Sequence, residues 1–145
     1  MALLDAVFKA PTPQQAASVL ELSFSQKPNA ALAVPAAMKP AQTFKMTVLE
    51  IQNSVTDPAV FLHTVEEALK AAETLTDKAD FGENGAVFTV RTPLMRYPDL
   101  VYVSLLGAED EEAASWPALY SHSIYGYSDM GANAKRLRRV LSALG

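Results

Sequence analysis

Ser121-His122-Ser123-Ile124-Tyr125-Gly126-Tyr127-Ser128-Asp129-Met130-Gly131-Ala132-Asn133-Ala134-Lys135-Arg136 decides the fold class. A strand-like run of polar and aromatic residues breaks into a glycine-punctuated turn and then into a helix. Gly126 and Gly131 suit backbone conformations closed to other residues. Beyond the turn, Met130, Leu137, Val140, Leu141 and Leu144 mark one apolar helical face, and Lys135, Arg136, Arg138 and Arg139 fall largely on the other.

Working backwards, Pro117 to Tyr125, Leu100 to Leu106, Ala86 to Thr92 and Asp77 to Phe81 are short and rich in Val, Phe, Tyr and Leu. Gly82-Glu83-Asn84-Gly85, Arg96-Tyr97-Pro98-Asp99 and the acidic run Glu109 to Glu112 separate them as turns. Connections this short predict an antiparallel meander, because parallel strands need longer crossovers. Further back, Asp57 caps a helix that Pro58 opens, with Phe61, Leu62, Val65, Ala68, Leu69, Ala72 and Leu75 at helical spacing. Phe44 to Ile51 roughly alternates and reads as a half-buried strand.

The predicted class is therefore α+β: a single antiparallel sheet of about five strands packed by two main helices. Residues 1–43 carry Pro11, Pro13, Pro28, Pro35 and Pro40 and read as a proline- and alanine-rich arm. A short helix is expected from about Pro13 to Leu22, and an extended segment from Lys27 to Thr43 lying over the domain. The whole of 1–145 reads as a single domain, with the α+β core in 44–145. Two helices cover one sheet face. Where the arm leaves the other face open, a groove for a small or amphipathic ligand remains.

Half the residues are apolar and 19% are charged, which is the balance of an ordinary globular protein. The net charge of -4 repels nucleic acid and anionic membranes from the molecule as a whole, although a local basic patch overrides such a mean. No cysteine is present, which excludes disulfides, thiolate metal sites and a cysteine nucleophile. The first ten residues lack the basic leader and long apolar core of a signal peptide, and no apolar run is long enough to span a membrane. A cytoplasmic protein is the expectation, with no nucleic-acid partner.

The chemistry-bearing residues compose no catalytic template. Gly126-Tyr127-Ser128 precedes Asp129-Met130-Gly131, one residue too long for a nucleophile elbow. His122 on a strand points away from the face shared by Ser121 and Ser123. His63 and His122 have no partner at metal-ligand spacing, and the run 109–112 lacks the pattern of a calcium loop. Neither a metal nor a cofactor is implied. The turn leads into a helix N-terminus whose amides suit an anion, yet Ser128, Asp129 or Asn133 can cap those amides internally. Arg136 or Arg138 can pair with Asp99 or Glu112 across the domain. Trp116 and the five tyrosines, Tyr97, Tyr102, Tyr120, Tyr125 and Tyr127, read as core or rim aromatics.

Arg96-Tyr97-Pro98-Asp99-Leu100-Val101, Leu119-Tyr120-Ser121-His122-Ser123, then Gly126-Tyr127-Ser128-Asp129-Met130-Gly131-Ala132-Asn133 and Arg136 together resemble the domain of unknown function 1499 family. That family shows Arg-Phe-Pro-Asp, a strand ending in Ser-x-Ser-Arg, and Gly-Tyr-Ser-Asp-Leu-Gly-x-Asn before a basic helix. The clear match covers about 86–144, with a looser continuation through Lys27-Pro28-Asn29 and Val34-Pro35. Ile124 stands where members usually carry Arg, Ala134 replaces a frequent basic residue, and the cysteines of some members are absent. The resemblance implies a shared fold and surface rather than a reaction. It singles out Arg96, Asp99, Ser121, Ser123, Tyr127, Ser128, Asp129, Asn133 and Arg136 as binding or structural-motif candidates, with no catalytic residue assigned. The reading is a non-enzymatic domain for a small molecule or protein. The alternatives are a hydrolase-like enzyme using the polar turn at 121–133 and a protein–protein interaction module.

Overall fold

Alternating side chains send each strand's residues to opposite faces of a sheet, so a chain with helices on one face must cover or use the other. The computed structural model describes residues 18–40, 45–82, 84–93, 96–107 and 115–145. In it the protein is α+β, with two α-helices and one mixed sheet of six strands among the described residues. The elements are β1 (Ala30–Pro35), β2 (Thr47–Ile51), α1 (Pro58–Ala72), β3 (Thr74–Asp80), β4 (Ala86–Arg91), β5 (Pro98–Leu106), β6 (Trp116–Ser123) and α2 (Ala132–Leu144).

The strand order is β2-β1-β6-β5-β4-β3, antiparallel throughout except for the parallel pair β1–β2. This corrects the expected all-antiparallel sheet of about five strands. The added strand is β1, which lies within the segment expected to run over the domain. It sits between β2 and β6, and every residue of Ala30–Pro35 is buried. A strand buried on both faces loses its alternation. Ala31 and Ala33 meet the helices, while Ala30, Leu32 and Val34 face the opposite side.

Asp57 caps α1 as expected, accepting from the amides of Ala59 (3.0 Å) and Val60 (3.2 Å), with Pro58 opening the helix. The helix stops at Ala72, earlier than its apolar spacing suggests, and Leu75 belongs to β3. Glu73 is already extended, and the β-branched Thr74 and Thr76 favour a strand. Met130 is not on the last helix: it lies in the preceding turn at φ 52°. The expected strand from Phe44 is observed from Thr47, Phe44 itself lying outside the described residues. The expected helix from Pro13 to Leu22 lies outside them up to residue 17, and beyond that only a 3-10 turn, Val19–Glu21, is formed.

Phe61, Val65 and Leu69 of α1 and Leu137 and Val140 of α2 pack against Phe88, Val90, Val101, Val103 and Leu119. On the other face Val19 and Leu22 cover Leu32, Leu100, Tyr102, Ala118 and Tyr120. The Val19 amide donates to Ser104 Oγ at 2.8 Å, which ties the covering segment to β5. Among the described residues no helix is long and apolar enough to cross a membrane.

Candidate functional site

Two features converge where β6 ends, one on each face of the sheet. Asp99, Ser121 and Ser123 share the helix face with Val101 and Leu119, whereas Tyr102, Tyr120 and His122 share the other.

On the helix face Arg136 is fully buried, not on the solvated face expected of a basic helical run. Its guanidinium donates Nε to Glu73 Oε2 (2.6 Å), Nη2 to Glu73 Oε1 (2.6 Å) and to Asp99 Oδ2 (2.8 Å), and Nη1 to Ser121 Oγ (3.0 Å) and Asn133 Oδ1 (2.6 Å). Of the pairings the sequence left open, Arg136 or Arg138 with Asp99 or Glu112, the structure forms Arg136 with Asp99; Glu112 lies outside the described residues. Glu73, which no motif marks, is the second carboxylate and also meets Arg139 at 3.3 Å. Burial works against the Arg136 charge, but its bonds to Glu73 and the field of Asp99 outweigh it and hold its pKa above the usual value. Burial lifts the Asp99 carboxyl above its ordinary range, offset in part by Arg136 and a hydrogen bond from Ser123.

Asn133, with no exposed surface, connects this cluster to the turn and to the segment before β1. Its Nδ2 donates to Asn29 O (3.0 Å), Ser123 Oγ (3.0 Å) and Asp129 Oδ2 (2.7 Å), and Ser121 Oγ donates to its Oδ1 at 2.6 Å. Asp129 Oδ1 accepts from the Gly131 amide (2.8 Å), its Oδ2 from the Asn133 amide (3.1 Å), and Ser128 Oγ from Met130 (3.2 Å). The amides entering α2 are thus capped from within the chain. Gly131 itself takes the left-handed φ of 85° that starts the helix. Among the described residues no buried side-chain polar atom lacks a hydrogen-bond partner. Of the candidates, Asp99, Ser121, Ser123, Asp129, Asn133 and Arg136 form this network, with Ser128 at its edge. Arg96 and Tyr127 are exposed at the same end of the sheet, outside it.

On the opposite face the segment 22–29 arches over β6. The Ser25 amide donates to Tyr120 Oη at 2.8 Å, Ser25 Oγ donates to Asn29 Oδ1 at 2.6 Å, and the Phe24 and Tyr120 ring centroids stand 4.9 Å apart. Between this segment and the sheet lies a cavity of about 380 Å³, with Phe24, Lys27, Tyr102, Tyr120, His122 and Ile124 among its walls. The His122 ring stacks on both Tyr102 (6.0 Å) and Tyr120 (5.2 Å). Burial lowers the His122 pKa to about 4 and pushes the Tyr120 hydroxyl up to about 12, so both are neutral near pH 7. In the sequence His122 stands only as a neighbour of the serines and as a histidine without a metal-ligand partner. Its aromatic neighbours are Tyr120, two positions back on β6, and Tyr102 on β5, which the cross-strand register brings beside them.

A second cavity, of about 360 Å³, lies at the other end of the sheet beside the start of α1 and the last turn of α2. None of the sequence candidates lines it. Among the described residues no group of His, Asp or Glu side chains is arranged to hold a metal ion.

No curated protein matches the chain, and no solved structure does. A family model does match, over residues 10–144, which extends the resemblance of 86–144 to nearly the whole chain. The chain belongs to the family described as Protein of unknown function (DUF1499).

Proposed function

We propose that this chain is a non-enzymatic binding domain that takes a small or amphipathic ligand in the groove between segment 22–29 and the sheet. The observation that carries the reading is the aromatic wall of that groove. Phe24, Tyr102, Tyr120 and a neutral His122 offer flat, largely apolar surface, with Lys27 as the one cation among the lining residues. Pockets of a few hundred Å³, lined by aromatics with few polar groups, are the usual form of a small-molecule site. The polar cluster across the sheet supports the same reading by its chemistry. Ser121 and Ser123 are engaged by Asn133, Arg136 and Asp99, and His122 faces away from them, so the cluster reads as the brace that fixes the turn and the groove's floor. The proposal takes 1–145 as one cytoplasmic domain.

The test is a titration of the ¹⁵N-labelled protein with 8-anilinonaphthalene-1-sulfonate, an aromatic anion that fits such a wall. Amide shifts concentrated at Leu22 to Asn29 and His122 to Gly126 are expected. Shifts concentrated at Glu50 to Asp57 and the last turn of α2, or none at all, would overturn the groove as the site.

A further inference from the structure

The net charge of -4 conceals a polarity along the strands. β1, β2, β3 and β5 begin, and β4 and β6 end, at one end of the sheet, where α2 also starts. That end presents Lys27, Lys45, Arg96 and Lys135, all exposed. Three acids at this end are all engaged within the fold: Glu73 and Asp99 are buried on Arg136, and the half-buried Asp129 has both carboxylate oxygens bonded to the α2 entry. Glu50, Asp57 and Asp80 lie at the opposite end, Glu50 paired there with Lys39.

The basic end is also where apolar side chains project. Tyr97 (50% exposed), Tyr125 (61%), Tyr127 (58%) and Met130 (90%) are four of the six large exposed hydrophobic residues among those described. The Tyr97 and Tyr125 ring centroids stand 6.5 Å apart, and Lys45 Nζ donates to Tyr127 Oη at 3.0 Å while lying 5.6 Å from the ring centroid. Tyrosines and an aliphatic residue at a rim of lysine and arginine are the composition of a membrane–water interface. We infer that this end of the molecule docks on the surface of an anionic bilayer, Tyr97, Tyr125, Tyr127 and Met130 entering the headgroup layer while the four cations meet lipid phosphates.

Distance separates a bilayer from the other polyanion that cations attract. The eight residues of β6 span about 26 Å, more than twice the roughly 10 Å screening length at 0.1 M salt. A plane touching the basic end is therefore screened from the acidic one, whereas a nucleic acid chain reaches round to it. Met130 also offers a surface that lipid uses and a phosphodiester backbone does not. The inference goes beyond the groove and does not depend on it, so soluble-ligand binding and vesicle binding fail separately.

The test is co-sedimentation of the full chain with phosphatidylcholine vesicles made with and without phosphatidylglycerol, at low and high salt. Binding is expected only with phosphatidylglycerol, and is expected to be lost at high salt. Each cation near such a surface contributes roughly 5-fold in partitioning, so Lys45→Gln with Arg96→Gln lowers it about 25-fold. Tyr125→Ser with Met130→Ser also weakens it at low salt. Lys39→Gln, at the acidic end and paired with Glu50, leaves it unchanged. Circular dichroism melts that match the parent confirm that the variants fold. Equal sedimentation with and without phosphatidylglycerol, no sedimentation at low salt, or binding to an RNA oligonucleotide in place of vesicles would each overturn the inference.

Discussion

Replacing Arg136 by Met keeps most of the side-chain volume and removes a guanidinium that makes five hydrogen bonds to Glu73, Asp99, Ser121 and Asn133. The variant leaves two carboxylates, 7% and 3% exposed, with their main counter-charge gone. Breaking a buried pair from one side costs about 3–5 kcal/mol, because the remaining charge stays desolvated. Arg139 at 3.3 Å still meets Glu73, so the loss is expected near the lower end of that range, about 3 kcal/mol. For a chain of this size that corresponds to a fall in Tm of roughly 10 °C. Urea unfolding followed by the single tryptophan, Trp116, reads the change directly. The gap between parent and variant narrows as the pH is lowered, since Asp99, already raised by burial, takes up a proton more readily without Arg136. Asp99→Asn added to Arg136→Met removes one orphaned charge and restores part of the loss. A loss below about 1 kcal/mol, the scale of a surface ion pair, would show that the cluster is solvated and does not brace the fold.

Asn133→Ala removes one hydrogen-bond partner each from Asn29 O, Ser123 and Arg136, and a loss of about 3 kcal/mol is expected in the same assay; Asp129→Ala, which uncaps α2, is expected to lose about 2 kcal/mol. His122 stays neutral in the folded protein down to about pH 4, while its unfolded counterpart takes a proton near 6.5. Its contribution is complete above pH 6.5 and is lost as the pH falls towards 4, by up to about 3 kcal/mol; parallel pH–stability curves for the parent and His122→Phe would contradict this. At Gly85 an added Cβ would run into the carbonyl oxygens of Phe81 and Val103, both backbone, so Gly85→Ala is expected to lose about 3 kcal/mol or to fail to fold in thermal melts.

What the sequence shows well is local. The Asp57-Pro58 start of α1 and the capped turn before α2 are legible because donor, acceptor and breaker lie within four residues of one another. The Arg136–Asp99 pair is legible only as one of the pairings open to Arg136 and Arg138 with Asp99 and Glu112, because complementary charge alone does not select the partner. β1 is hidden because burial on both faces erases alternation, and its small alanines between prolines look like a coil. Its parallel pairing with β2 is hidden with it. The burial of Arg136 is concealed among three other cations of the same helix, and its second carboxylate partner, Glu73, lies 63 positions earlier in the chain with no motif to mark it. The groove is the least legible feature: Phe24, Tyr102, Tyr120 and His122 come together through strand register and through the Ser25–Tyr120 hydrogen bond, neither of which leaves a motif.

The most direct test of the groove as a ligand site is native mass spectrometry of the freshly purified protein, set against its denatured mass and against Ile124→Trp, which places an indole in the groove. A ligand held in the groove gives a mass excess that denaturation releases and that Ile124→Trp reduces or abolishes. A parent protein at its bare chain mass, or an excess that persists undiminished in Ile124→Trp, would contradict it.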